Sequence, residues 1–195
     1  CMHPELLSLS LFMLVTSCSP GPNNIVASYS GFNFGIIKTF PHMLGVIFGF
    51  TTMVCVLNFG LINIFKLYPL LQEILKILGS VFLIYLAYKI SFSKKSKENK
   101  KENPVKFLET YLFQFLNPKG VIVGIIIVST YVENGNNFLN YSFWVILVSF
   151  ICAVISITFW TFVGKFFRRF ATNEKFINVF NYVMSSLLLA CIATF

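Results

Sequence analysis

Long apolar runs separated by short polar stretches fill most of this chain. Apolar stretches of 18 or more residues predict transmembrane helices. A soluble helix keeps one polar face, and stretches such as GVIVGIIIVSTYV at 120–132 have none. The pattern therefore predicts an all-α integral membrane protein with six transmembrane helices and argues against a soluble helical bundle. The predicted segments are 6–29, 41–65, 70–91, 107–131, 141–164 and 176–194.

The composition also indicates a membrane environment. Of the 195 residues, 56% are hydrophobic and 11% are charged, against roughly 25% charged residues in a soluble domain. The stretches between the segments are short, so we expect a single transmembrane domain over 1–195. The first segment lacks a basic region ahead of it and is longer than the apolar core of a signal peptide. We therefore expect it to remain in the mature protein.

The net charge of +8 is unevenly distributed and indicates topology. Lysines crowd the linker 92–106, whereas the loop 133–140 carries no positive charge. Cytoplasmic loops hold the Lys and Arg excess, so we expect a cytoplasmic linker and two extracytoplasmic termini. The charge then reflects topology and contact with lipid headgroups, and no nucleic-acid partner is expected. The linker lysines are Lys94, Lys95, Lys97, Lys100, Lys101 and Lys106.

Two interrupted segments occupy matching positions in the chain. The linker divides it into repeats at about 6–91 and 107–194, and each repeat begins with a broken segment: SPGPNN at 19–24 and QFLNPKG at 114–120. Three segments per repeat give the two repeats opposite orientations. Matching interruptions in inverted repeats point to the midplane site of a secondary transporter. The sequence therefore predicts two inverted three-helix repeats with broken helices 1 and 4.

The residues at the interruptions suit a zwitterion. The two prolines lack amide hydrogens and release helix carbonyls, and the asparagine amides both donate and accept hydrogen bonds. A lysine inside the membrane costs about 2.5–3.5 kcal/mol on insertion scales, which favours a functional role. The alternative is a pair of proline kinks with capping asparagines and a lysine that extends to the interface. The predicted substrate-binding residues are Pro20, Gly21, Pro22, Asn23, Asn24, Gln114, Asn117, Pro118 and Lys119.

A family resemblance rests on the same motifs. SPGPNN, GVIFGF at 45–50, GSVFLIYLAYKI at 79–90 and QFLNPKG together resemble the LysE/RhtB family of bacterial amino-acid exporters over nearly the whole chain. The forms PGPNNI and QF-x-N-x-K are similar to its cysteine and O-acetylserine branch. The resemblance implies a secondary transporter of the bacterial inner membrane that exports small amino acids without a cofactor, driven by the proton gradient. Threonine, homoserine or lysine are the alternative substrates.

The residue that would couple transport to protons is not identified by the sequence. The chain has no Asp, and Asn23 stands where many family members have an acidic or other residue. Glu109 is the one Glu placed to titrate in a cavity, and facilitated efflux or exchange fits the residues equally well. A histidine side chain ordinarily titrates near neutral pH, which makes His42 a candidate proton relay. We interpret it instead as a helix-cap or interfacial residue.

Other functional classes receive less support. Gly45 and Gly49 form a GxxxG pair that lets helices approach closely, which favours an internal helix contact over a homodimer face. The five cysteines lack metal-ligand spacing, so we expect no metal site. An intramembrane enzyme would rely on Ser17 or Ser19 with Lys119, and we expect no catalytic residues. A passive channel or a membrane scaffold are the remaining alternatives. Ser156 and its neighbours in segment five either line the path or bond to their own helix.

Overall fold

The computed structural model describes residues 2–92 and 104–194, which form helices and the turns between them. Cys1 and most of the predicted linker, residues 93–103, lie outside the described residues. The elements are α1 (Leu6–Cys18), α2 (Pro22–Phe34), α3 (Ile36–Val56), a π-helical turn (Leu57–Leu61), α4 (Ile62–Leu67), α5 (Pro69–Phe92), α6 (Phe107–Leu116), α7 (Pro118–Tyr131), α8 (Phe138–Arg168) and α9 (Glu174–Ile192).

Within the described residues, four continuous helical stretches are long and apolar enough to cross a membrane. The pair α6 and α7 gives a fifth span when taken together, bent by 61° at residue 117. The 13-residue helix α1 is apolar but shorter than the roughly 20 residues needed to span a bilayer. The fold is therefore all-helical with four to five membrane-capable spans. The continuous spans are Ile36–Leu67, Pro69–Phe92, Phe138–Arg168 and Glu174–Ile192.

One boundary and one turn differ from the sequence prediction. The second span begins at Ile36, ahead of the predicted start at 41, and Pro41 lies inside α3. As the sixth residue of α3, Pro41 lacks the amide hydrogen that would bond the carbonyl of Ile37, and membrane helices tolerate such prolines because neighbouring groups satisfy the freed backbone. The π-helical turn has no counterpart in the prediction. There Gly60 adopts a φ of 156°, a region that other residues rarely reach, and the chain changes direction between α3 and α4.

Helix α8 forms the centre of the bundle. Helices α1, α2 and α3 pack on it, α6 packs on α3, and α5 pairs with α9. The α2–α8 contact depends on glycine: a Cβ on Gly31 would collide with the carbonyl of Thr161, and one on Gly164 with the carbonyl of Ser28. These glycines bring the two helix backbones close together.

Gly45 and Gly49 make an internal contact between α3 and α6. A Cβ on Gly45 would lie 2.7 Å from Thr110, and a Cβ on Gly49 would lie 2.6 Å from Gln114. Both glycines therefore face another helix of the same chain. A homodimer would have to use other surfaces.

The outer face of α5 is apolar. Ile77, Val81 and Ile84 are 63%, 59% and 53% exposed, and comparable side chains project outward from α8 and α9. Exposed apolar surface of this kind marks contact with a membrane or a partner.

Candidate functional site

The first interruption is a short extended segment between α1 and α2. Helix α1 ends at Cys18, Ser19 is extended (φ −67°, ψ 149°), and Gly21 is also extended (φ −168°, ψ 174°). Helix α2 starts at Pro22, so Asn23 and Asn24 lie in its first turn. The break therefore covers residues 19–21, which is less than the six-residue motif suggested.

The carbonyls released at the end of α1 already have side-chain partners. Asn24 Nδ2 donates to the carbonyl of Ser17 at 2.8 Å, and Ser156 Oγ donates to the same oxygen at 2.6 Å. Trp160 Nε1 donates to the carbonyl of Cys18 at 3.0 Å. The sequence predicts that these carbonyls contact the substrate. In the structure, side chains of α2 and α8 donate hydrogen bonds to them, which leaves other groups to contact a ligand.

Lys119 connects the two interruptions. Its ammonium donates to the carbonyl of Ser19 at 3.0 Å, to the Ser19 hydroxyl at 2.7 Å and to the carbonyl of Pro20 at 3.3 Å. An ammonium group has three donors, and all three point at the end of α1. Lys119 therefore crosses from α7 to the first break instead of extending to an interface. The side chain lies against Gly21, where a Cβ would come within 2.9 Å of Nζ.

The second interruption is the single residue Asn117. It is extended (φ −79°, ψ 103°) between the end of α6 and Pro118, the first residue of α7. Its side chain is 3% exposed, and Oδ1 has no hydrogen-bond partner among the described residues. An unpaired buried acceptor costs about 1–3 kcal/mol. This oxygen is therefore available to a hydrogen-bond donor that enters the site.

Two helix N-termini meet at the site. Helices α2 and α7 both begin with proline, and their first intrahelical bonds come from the amides of Ile25 and Val121. The amides of the preceding residues have no helical acceptor. Helix N-termini carry partial positive charge and bind anions. With Lys119 beside them, these ends form a positive region. The amides in question belong to Asn23, Asn24, Lys119 and Gly120.

These residues line one cavity, which we call the central cavity. Its empty volume, including the open space at its mouth, is about 510 Å³. Six predicted residues lie on its wall: Gly21, Pro22, Asn23, Asn24, Asn117 and Lys119. Pro20, Gln114 and Pro118 do not line it. Ser156 of segment five also lines the cavity. This agrees with the interpretation that its side chain lines the path.

Sequence reasoning missed part of the wall. Val46 and Phe50 of α3, Val123 of α7 and Thr16 of α1 also face the central cavity. Val46 and Phe50 belong to the GVIFGF motif, which from the sequence alone indicates only the family resemblance. An apolar residue facing a cavity cannot be told from one facing lipid by composition alone, so the sequence carried no signal for them.

A buried hydrogen-bond network supports the wall from behind. Asn23 and Gln114 bond to each other at 2.8 and 3.0 Å. His42 Nε2 donates to the carbonyl of Asn23 at 3.1 Å, and its Nδ1 lies 2.8 Å from the Thr110 hydroxyl. His42 is 2% exposed, so the interpretation of it as a cap or interfacial residue is wrong.

Glu109 lies away from the central cavity. It accepts a hydrogen bond from the amide of Lys106 at 3.2 Å, which caps the start of α6. A carboxylate in the first turn of a helix stabilises the helix dipole. This position gives Glu109 a structural role and leaves the wall of the central cavity without a carboxylate among the described residues that line it.

The Ser19–Lys119 pair has the spacing of a Ser/Lys dyad but the opposite hydrogen-bond direction. The Ser19 hydroxyl donates to the carbonyl of Thr16 at 2.7 Å and accepts from the Lys119 ammonium. A general base must accept the hydroxyl proton of the nucleophile. Here the lysine donates, so the pair stabilises the helix end and does not activate the serine.

An all-helical membrane chain with a cavity lined by polar residues of two interrupted helices has the features typical of membrane transporters. The chain matches the family described as LysE type translocator over residues 14–195. It therefore belongs to that family, and is a multi-pass transporter of the bacterial inner membrane and not an enzyme.

Similar proteins cover almost the same length. The cysteine/O-acetylserine efflux protein of Salmonella typhimurium (strain LT2) is 30% identical over 195 residues, with 97% of each chain covered. The protein of the same name from Escherichia coli (strain K12) is 28% identical over 195 residues, again with 97% of each chain covered. No solved structure matches the chain.

Proposed function

We propose that this protein exports small neutral amino acids, of the cysteine or O-acetylserine kind, and binds them in the central cavity. One observation carries the proposal: the N-termini of α2 and α7 and the Lys119 ammonium converge where Asn117 presents an unpaired acceptor. A zwitterion offers a negative carboxylate and a positive ammonium to these two kinds of group. The names of the similar proteins from Salmonella and Escherichia support the same substrate class.

The two ends of the zwitterion bind to opposite groups. The carboxylate lies at the helix N-termini and accepts from the Lys119 ammonium, as anionic substrate groups do at half-helix ends. The substrate ammonium donates to Asn117 Oδ1. The substrate side chain then faces Val46, Phe50 and Val123, which form an apolar part of the wall and suit a short, uncharged side chain.

The charge of the wall favours neutral substrates over lysine. Among the described residues that line the central cavity none is acidic. A lysine substrate would bring a second cation that the wall does not pair, and an unpaired buried charge is strongly unfavourable. Threonine and homoserine are uncharged at their side chains and remain the alternative substrates.

The proposed architecture has six segments in two inverted repeats, with α1–α2 as the first segment and α6–α7 as the fourth. The packing supports it. The first piece of each broken segment packs on the second segment of the other repeat: α1 on α8, and α6 on α3. The second segments α3 and α8 also pack on each other, and the third segments α5 and α9 do the same. A pseudo-twofold axis between the two repeats would relate these pairs of helices.

The proposed topology places the linker 92–106 in the cytoplasm and both termini outside. Arg168, at the end of α8, donates to the carbonyl of Phe32 at 2.6 Å, which puts the end of segment five beside the α2–α3 turn. The His3 ring lies 2.7 Å from the carbonyl of Tyr131, which puts the N-terminus beside the end of α7. Both contacts support an arrangement with the N-terminus on the side opposite the basic loops.

Efflux from proteoliposomes tests the proposal. Vesicles are preloaded with labelled cysteine, O-acetylserine, threonine, homoserine, lysine or leucine and followed with and without an imposed pH gradient. Saturable efflux of cysteine or O-acetylserine is expected, with lysine excluded, and the response to the gradient decides the mode of coupling. Equal, non-saturable flux of all six would indicate a channel, and no flux would contradict the proposed function.

A further inference from the structure

A second cavity, which we call the distal cavity, adjoins the central one. Its empty volume is about 570 Å³ including its open side. It shares Gly21, Pro22, Lys119 and Val123 with the central cavity and adds Cys191 and Thr194 from the end of α9. The two cavities therefore adjoin each other at the first break and the start of α7.

The Lys119 side chain lines both cavities, together with Gly21, Pro22 and Val123. Its ammonium donates to Ser19 and Pro20, and its methylene groups lie against Gly21, where a Cβ would approach Cδ within 3.0 Å. Among the four shared residues Lys119 has the one long, flexible side chain, and side-chain rotations are fast on the scale of helix motions.

A substrate carboxylate provides the reason for the lysine to move. In the structure the three ammonium donors are satisfied by neutral oxygens. A carboxylate adds an attraction between opposite charges that these neutral oxygens do not offer to the ammonium. A carboxylate in the central cavity therefore competes with the end of α1 for the same donors and draws Lys119 towards the central cavity.

We propose that the distal cavity is the next station of the substrate path and that Lys119 is the partition which the substrate itself opens. The inference rests on the proposed function, because it assumes an amino acid in the central cavity. It adds a second site, at the end of α9, and gives Lys119 a role in passage as well as in binding.

Cys191 allows the distal cavity to be blocked from a residue that does not line the central cavity. It lines only the distal cavity and its thiol is free. A variant that keeps Cys191 and replaces the other four cysteines with alanine is reacted with benzyl methanethiosulfonate. The control keeps Cys55 of α3, which is also free and partly exposed but lines neither cavity. O-acetylserine is the labelled substrate because it has no thiol.

Two quantities are measured on each protein: equilibrium binding of O-acetylserine in detergent and its efflux from proteoliposomes. Modification of Cys191 is expected to slow efflux at least about tenfold while Kd changes by less than about twofold. Reduction of the adduct with dithiothreitol restores the rate, and modification of Cys55 changes neither quantity. Unchanged efflux with Cys191 modified would overturn the proposal and favour a cavity filled by a lipid chain. A parallel loss of binding would also overturn it, because it would place Cys191 in the substrate site.

A second variant covers the case in which the cysteine replacements themselves abolish transport. Thr194→Trp fills the distal cavity in the otherwise unchanged chain, and Leu189→Trp on the exposed face of α9 is its control. Thr194→Trp is expected to reproduce the slow efflux with normal binding. The unmodified protein distinguishes the two proposals: no efflux from it contradicts the proposed function, whereas efflux that Thr194→Trp leaves intact contradicts only the distal path.

Discussion

Asn23 and Gln114 bind each other through two reciprocal amide hydrogen bonds, of 2.8 and 3.0 Å, across 91 residues of sequence. Gln114 is fully buried, and its Nε2 also donates to the carbonyl of Thr110 at 2.9 Å. The pair fixes α2 to α6, one helix from each half of the chain. The position of Asn23 at the cavity is thus fixed by Gln114, which does not itself line the central cavity.

Asn23→Ala is expected to destabilise the protein because it leaves Gln114 Oε1 buried without the donor that Asn23 supplies. The expected loss in free energy of unfolding is about 1–3 kcal/mol, measured by denaturant titration in detergent. The double variant Asn23→Ala/Gln114→Leu removes both polar groups and should recover part of the loss. A coupling energy below about 0.5 kcal/mol between the two sites would show that the pair contributes nothing.

Lys119→Ala is expected to abolish saturable efflux while the protein still inserts into the membrane. Loss of a buried charge partner costs about 2–5 kcal/mol, so efflux should fall at least about thirtyfold. Lys119→Arg keeps the charge and is expected to retain more activity than the alanine variant. Efflux and the amount of membrane-inserted protein are measured together. Normal efflux from Lys119→Ala would show that Lys119 does not contribute to substrate binding.

Ser19→Ala separates a structural serine from a nucleophile. The Lys119 ammonium keeps its bonds to the two carbonyls at the break, so saturable efflux should persist at a reduced rate, since one hydrogen bond to a charged group is worth about 1.5–3 kcal/mol. A complete loss of activity with normal folding would instead support the Ser/Lys dyad.

Asn117→Ala is expected to weaken substrate binding without loss of stability. Its Oδ1 has no partner to lose, and a hydrogen bond to a charged group is worth about 1.5–3 kcal/mol, so Kd for O-acetylserine should rise at least about tenfold. Asn58 is the matched control: its Oδ1 is also buried and unpaired, but it does not line the central cavity. If Asn58→Ala weakened binding equally, the effect of Asn117 would not be local.

His42→Gln tests whether His42 positions Asn23 or relays protons. A glutamine amide can donate to the Asn23 carbonyl as the histidine ring does, so efflux and its response to a pH gradient should both persist. His42→Ala removes that donor and should reduce efflux. If His42→Gln kept downhill efflux but lost the gradient response, His42 would be the coupling residue and the positioning role would be wrong.

Gly164→Ala tests the α2–α8 contact. Its Cβ would collide with the carbonyl of Ser28, and overpacking of a tight contact typically costs about 1–3 kcal/mol. At Gly120 the nearest atom to a Cβ is 3.6 Å away, so Gly120→Ala should leave the free energy of unfolding nearly unchanged. Thermal unfolding of both variants in the same detergent compares them, and equal stability would contradict the close packing of α2 on α8.

The sequence predicted the two interruptions because proline and glycine act locally. Pro22 and Pro118 begin new helices at the positions where the apolar pattern was broken, and their first-turn residues reach the cavity as expected. The side chains that donate to the carbonyls at the end of α1 could not be predicted from the sequence. Ser156 and Trp160 lie 139 and 142 residues away from the carbonyls they bond, and no local pattern connects positions so distant.

The distinction between local sequence signals and distant tertiary contacts also explains the other differences between the sequence prediction and the structure. The sequence predicts that His42 is interfacial because it follows the proline at 41. In the structure α3 begins at Ile36, and α6 packs on α3. The π-helical turn at Leu57–Leu61 depends on a single glycine in an apolar run, where several backbone paths are compatible with the composition. Tertiary contacts decide both outcomes.

The central claim is that the carboxylate of the amino acid binds at Lys119 and the helix N-termini while its ammonium binds at Asn117. Competition for O-acetylserine efflux tests it most directly, with serine, serine methyl ester and N-acetylserine as inhibitors of the parent protein and of the Asn117→Ala variant. The account predicts that serine inhibits the parent, that neither blocked analogue does, and that Asn117→Ala reduces the preference for a free ammonium and leaves the preference for a free carboxylate. Equal inhibition by all three compounds would contradict it.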